Sequence, residues 1–107
     1  PKAVAVCSDP AAILHLSVAS AWEIQIKVRI GKLTLPRPLA DMIDSQRNRN
    51  GLQILSATLD HVLDIEQLPS IHKDPFDRLI IAQARVEGAV LVSGDPVISR
   101  YPVKVEW

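Results

Sequence analysis

At 107 residues the sequence is one domain's worth of chain, enough for a modest hydrophobic core. Apolar residues make up 48% of it but include only two Trp, one Tyr and one Phe, so packing must rest on Leu, Ile, Val and Ala. Twelve basic residues balance twelve acidic ones, which excludes a whole-molecule field drawing in nucleic acid or a membrane surface.

The opening "PKAVAVCSDP" reads as a helix entered at Pro1 and ending near Ser8, since proline suits a first helical position. Cys7 is the sole cysteine of the sequence; it allows no internal disulfide, fits a reducing, cytoplasmic setting, and reads as a small core residue. "AILHLSVAS" predicts a first strand over 13–18. Ser20 and Glu23 stand at capping-box spacing, which predicts a helix beginning at Ser20 and stopped by Gly31. After the prolines of "KLTLPRPLADMIDSQRNRNG" a second helix is expected from about Leu39 to Asn48, closed by Asn50-Gly51. "LQILSAT" is a second strand. "TLDHVLDIEQLP" places Leu59, Val62, Leu63 and Ile65 on one helical face and ends at Pro69. Asp74-Pro75 opens a long helix in which Leu79, Ile80, Ala82, Ala84 and Val86 recur at helical spacing, with Gly88 as its C-cap. "AVLVS" is wholly apolar, as a strand buried on both faces is. A short segment at 96–101 leads to "VKVEW", a last strand. No apolar run approaches the roughly 20 residues of a membrane span, and no signal-peptide pattern is present in these residues.

Strands separated by helices predict an α/β domain with a mostly parallel sheet, whose ligand sites lie beyond the carboxyl ends of the strands. Chain geometry brings two acids to that edge. From Asp77 the helix runs outward for about 12 residues at ~1.5 Å each, or roughly 17 Å. The strand returns for about 5 residues at ~3.3 Å each, again roughly 17 Å, which lands Asp95 beside Asp77. Glu23, just after the first strand, is expected on the same rim. Three gathered carboxylates repel unless their pKa values rise or a divalent cation binds among them. An oxygen-only set without His or thiolate suits Mg²⁺ or Mn²⁺ rather than zinc.

Structural readings compete with this one. Glu23 is spaced as the third-position partner of Ser20, and Asp77 has the same relation to Asp74, an N-cap candidate. Acids in a first helical turn stabilise the helix by about 0.3–1 kcal/mol. Asp95 in "SGDP" has the chemistry of a turn former. His15, His61 and His72 show no metal-ligand spacing. Ser17 and Ser20 lack a nucleophile elbow, and no phosphate-binding glycine loop occurs. Lys27, Arg29 and Lys32, with Arg47 and Arg49, are candidates for phosphate contact or simply solvated helix faces.

"LSVASAWEIQIKVRIGKLTLP", "HKDPFDRLIIAQARVEG" and "LVSGDPVISRYPVKVEW" together resemble the PIN domain, in particular the VapC-type toxins of bacterial toxin–antitoxin pairs. The resemblance runs in order from about Ser17 to Trp107. It implies a single PIN-like domain over 1–107, a three-layer α/β/α sandwich with a mostly parallel sheet. It also implies an Mg²⁺- or Mn²⁺-dependent ribonuclease in the cytoplasm, an RNA substrate, a cognate antitoxin, and a homodimer or higher oligomer. Glu23, Asp77 and Asp95 match the family's second, third and fourth acids. Asp74 and Arg78 fall in the same motif as supporting residues; Ser20 is a further supporting candidate, and Lys27 and Lys32 are candidate RNA contacts. The family's first strand, central in the sheet and bearing its first aspartate, has no counterpart here. Three readings follow: a late start to the sequence, closure of the remaining strands into an inert remnant that binds an antitoxin or protein partner, or a strand donated by a partner chain. For the chain as given, the missing aspartate predicts weakened or absent nuclease activity.

Overall fold

The structure, a computed structural model, describes residues 11–71 and 73–106. The helix expected over 1–8, Cys7 and His72 lie outside the described residues. The chain divides into two units, one spanning Ile13–Ser56 and the other holding the residues from Ala57 onward together with Ala11 and Ala12.

In the first unit, strand β1 (His15–Ser17) runs directly into helix α1 (Val18–Arg29). The helix starts one turn earlier than the Ser20–Glu23 spacing predicts. Ser17 supplies the reason: its backbone is extended and its hydroxyl accepts the Ala19 N–H at 3.1 Å, so it is the N-cap. Glu23 consequently sits in the second turn, and the first turn of α1 holds no acid. At the far end the stop at Gly31 is as expected. Gly31 has φ +77°, and the Lys32 N–H donates back to the Lys27 carbonyl at 2.9 Å. Helix α2 (Leu39–Asn50) extends two residues past the expected end, to the left-handed Gly51 at φ 65°. It buries no residue fully, and Asn50 donates to the Gln46 side chain one turn back at 2.7 Å. Strand β2 (Gln53–Leu55) then lies parallel to β1, with His15 opposite Gln53 and Ser17 opposite Leu55. A parallel pair needs a long crossover, which α1 and α2 provide.

In the second unit, Thr58 caps a short helix α3 (Leu59–Asp64), followed by a 3₁₀ turn over Ile65–Gln67. Helix α4 (Pro75–Glu87) begins after Asp74 and ends at Gly88, φ 64°, as the sequence indicates. Strand β3 (Leu91–Val92), a 3₁₀ turn at Ile98–Arg100 and strand β4 (Val105–Glu106) complete it, with β3 and β4 parallel. The core is formed by Leu68, Ile81, Ala82, Ile98 and Tyr101, flanked by Ile65, Ile71, Leu91, Val103 and Val105.

Three burial expectations fail here, wholly or in part. Leu59, Val62 and Leu63 are exposed, while the buried residue of α3 is His61. The capping box turns the helix this way, because His61 at its third position reaches back to the Thr58 N–H. On α4, Ala82 and Ala84 are buried as expected, but Ile81 and Gln83 join them and Val86 is exposed. Strand β3 is not enclosed on both faces, since Val90 and Val92 are exposed. Among the described residues the strands form two separate two-stranded parallel sheets, so the α/β character holds. None of the described helices is long and apolar enough to cross a membrane.

Candidate active site

The N-terminus of α4 is built by local hydrogen bonding. Asp74 has an extended backbone, and its Oδ1 accepts the N–H groups of Phe76 and Asp77 at 3.0 and 3.1 Å. Pro75 follows at the first helical position, where its missing N–H costs no helical bond. Asp77 is thereby fixed as the third helical residue, half-buried, beside the positive end of the helix dipole. The N-cap expected of Asp74 is what the structure contains.

Asp95 lies in the loop leaving β3 and is exposed. Its N–H donates to the Ser93 hydroxyl at 3.1 Å, and its Oδ1 accepts the Val97 N–H at 2.9 Å. Its carbonyl accepts the Ile98 N–H at 3.2 Å, which opens the 3₁₀ turn. Asp95 therefore makes the turn contacts that the "SGDP" pattern indicates, and it stands beyond the carboxyl end of a parallel strand.

Arg78, half-buried, donates from Nη1 to the Pro69 carbonyl and from Nη2 to the Ile65 carbonyl, at 3.0 and 3.3 Å. Nη1 also reaches the Tyr101 hydroxyl at 3.4 Å. Asp74, Asp77, Arg78 and Asp95 thus share one unit. Glu23 and Ser20, both half-buried on α1, belong to the other, as do the exposed Lys27 and Lys32. Lys27 and Arg29 occupy the last turn of α1 and Arg47 and Arg49 that of α2, where cations complement the helix dipole.

No group of three or more His, Cys, Asp or Glu side chains placed to hold a metal ion occurs among the described residues. Glu23, Asp77 and Asp95 each carry carboxylate oxygens, the donor type that hard cations take. Mg²⁺ needs only one or two carboxylates, because it retains several of its waters. Two residues that sequence reasoning passed over carry structural weight. His61 is signalled by the Thr58-x-x-His61 spacing once His is allowed as the third-position acceptor. Tyr101, the phenol that meets Arg78, has no local sequence signal.

Residues 3–104 match the PIN domain. Ribonuclease VapC16 of Mycobacterium tuberculosis (strain ATCC 25618 / H37Rv) is 42% identical over 57 residues, 53% of this chain and 39% of that protein. The match thus spans about two-fifths of the length of that curated relative. No solved structure is a significant match. With nearly all of its length matched, and with similarity to a VapC ribonuclease, the chain belongs to the PIN-domain family.

Proposed function

We propose that this chain is a metal-dependent ribonuclease of VapC type, the toxin of a type II toxin–antitoxin pair, acting on RNA in the cytoplasm. The observation that carries the reading is the PIN match over residues 3–104, within which Asp77 occupies the third position of an Asp74-capped helix and Asp95 follows a parallel strand. Glu23, Asp77 and Asp95 are the proposed ligands of Mg²⁺ or Mn²⁺. Such a cation, when bound, supplies Lewis acidity for water activation and offsets charge on the scissile phosphodiester. It also gives a chain of zero formal net charge a means of attracting RNA.

Asp74 holds the helix start that presents Asp77, and the turn contacts of Asp95 orient its carboxylate. Ser20 supports Glu23 on α1, and Lys27 and Lys32 meet RNA phosphates. The domain reading is one PIN-like domain over 1–107, with the three-layer α/β/α sandwich and mostly parallel sheet of the family. Two parallel strand pairs support it. A cognate antitoxin and a second copy of the chain are the proposed protein partners.

A second reading is favoured by the lack of a three-residue metal group among the described residues. In it the chain is a catalytically inactive PIN-like module that binds an antitoxin or other protein. Calorimetric titration with Mn²⁺, beside RNA cleavage assays on the wild type and Asp77→Asn, separates the two. The enzyme reading expects Mn²⁺ binding and metal-dependent cleavage, weak because the family's first aspartate has no counterpart among the residues matched here. Both are lost in Asp77→Asn, while stability falls by no more than about 1 kcal/mol, the worth of a first-turn acid. Wild-type protein that binds no Mn²⁺ and cuts no RNA refutes it.

A further inference from the structure

The acceptors of the Arg78 guanidinium come from three separate stretches of its unit: Ile65 in the first 3₁₀ turn, Pro69 in the loop before α4, and Tyr101 after the second 3₁₀ turn. Tyr101 is only 3% exposed and packs in the core with Ile81, Ala82 and Ile98. The Ile98 N–H donates to the Asp95 carbonyl, and the Tyr101 N–H donates to the Ile98 carbonyl at 3.0 Å. Arg78, the residue after Asp77, is therefore tied through the Tyr101 side chain to a segment whose backbone hydrogen bonds, Tyr101 to Ile98 and Ile98 to Asp95, close the loop of Asp95. Arginine suits this role because its planar fork carries five donors in fixed directions. Lysine, with one rotating ammonium, cannot reach three acceptors so disposed.

We infer that Arg78 is a positioning residue rather than an RNA contact: with Tyr101 it holds the loop of Asp95 on the N-terminal half of the helix that presents Asp77. This rests on the reading of Asp77 and Asp95 as metal ligands. Its consequence is that metal affinity depends on a guanidinium and a phenol that do not themselves ligate.

The test compares the wild type with Arg78→Lys and Tyr101→Phe, at a temperature where thermal melts show all three folded. Tyr101→Phe removes only the hydroxyl, so it preserves the core even where Arg78→Lys fails to fold. Two quantities are measured without RNA: amide hydrogen exchange at Val97, Ile98 and Tyr101, and Mn²⁺ affinity by calorimetry. Positioning predicts faster exchange at those amides in both variants, and Mn²⁺ binding weakened roughly 10- to 100-fold, as for other groups that orient metal ligands. A purely structural role would lower the melting temperature and leave the Mn²⁺ affinity of folded protein unchanged. An RNA contact would leave exchange and Mn²⁺ affinity unchanged, with the lysine variant largely retaining RNA binding. Either result overturns the inference. A wild type that binds no Mn²⁺ defeats the ligand reading instead, and exchange at the three amides then decides whether Arg78 and Tyr101 hold the loop.

Discussion

Replacing His61 with alanine tests whether a buried imidazole organises α3. His61 is 1% exposed, and its Nδ1 accepts the Thr58 N–H at 3.1 Å while its own N–H donates to the Thr58 hydroxyl at 3.4 Å. Because Nδ1 is an acceptor, the neutral ring carries its proton on Nε2, which lies 3.5 Å from Glu87 Oε2 and has no hydrogen-bond partner among the described residues. That approach is an ion pair only when the ring is charged, and Glu87 is 46% exposed, so it contributes little. The loss on truncation is then one net hydrogen bond, about 1 kcal/mol. Lost packing and a residual cavity bring the total to roughly 2–3 kcal/mol, the low end for large-to-small substitutions. For a chain this short, that lowers the melting temperature by on the order of 10 °C. Denaturant melts of His61→Ala, His61→Gln and Thr58→Ala, with the double alanine variant, resolve the parts. Glutamine is a standard capping-box residue at this position, so His61→Gln recovers about 1 kcal/mol of the loss. The two alanine substitutions should couple by about 0.5–1 kcal/mol. A His61→Ala protein within about 0.5 kcal/mol of the wild type, the range of ordinary surface changes, refutes the capping role.

The helix caps give two further tests by thermal or denaturant melting. Ser17→Ala should cost about 1 kcal/mol through loss of the α1 cap, whereas Ser20→Ala, inside the helix, should be close to neutral. Asp74→Ala should cost about 1 kcal/mol or slightly more, since one oxygen serves two N–H groups; Asp74→Asn should retain most of the cap.

Local signals along the chain were legible where they rest on backbone chemistry. Gly51 and Gly88 end their helices in left-handed conformations, and Asp74-Pro75 opens α4, because few other residues serve those positions. The start of α1 was misplaced because two serines compete. Ser20 with Glu23 has the better spacing, but Ser17 stands where the strand ends, and the backbone enters the helix there. Burial was less legible. Helical spacing put Leu59, Val62, Leu63 and Ile65 on one apolar face, yet the bond between His61 and Thr58 sets the rotation of a helix only six residues long, and Leu59, Val62 and Leu63 are exposed. Arg78 reads from sequence only as a supporting residue, since nothing local reveals that Tyr101, 23 positions away, takes one of its donors. Sheet pairing is legible only in sign. Parallel strands followed from the alternation of elements, whereas the extent of each ladder depends on contacts remote in sequence.

The most informative feature of the candidate site is that its acids also perform structural work. Asp74 caps α4, Asp77 faces the positive end of that helix, and Asp95 closes a turn through Oδ1. Such arrangements give these carboxylates local partners before any cation arrives, because backbone N–H groups already meet Asp74 and Asp95 and a helix N-terminus lies beside Asp77. The structural and catalytic readings of these residues are therefore not exclusive, and stability data alone cannot choose between them. Substitutions that keep the local hydrogen bonds while changing charge do choose. Asparagine at 74 preserves a cap, and at 77 it keeps the size of the side chain while removing the negative charge. If position 77 alone governs metal affinity, capping and ligation are divided between two residues one helical turn apart. If both positions do, the helix terminus acts as one electrostatic unit, and the distinction between supporting and ligating acid loses its meaning here.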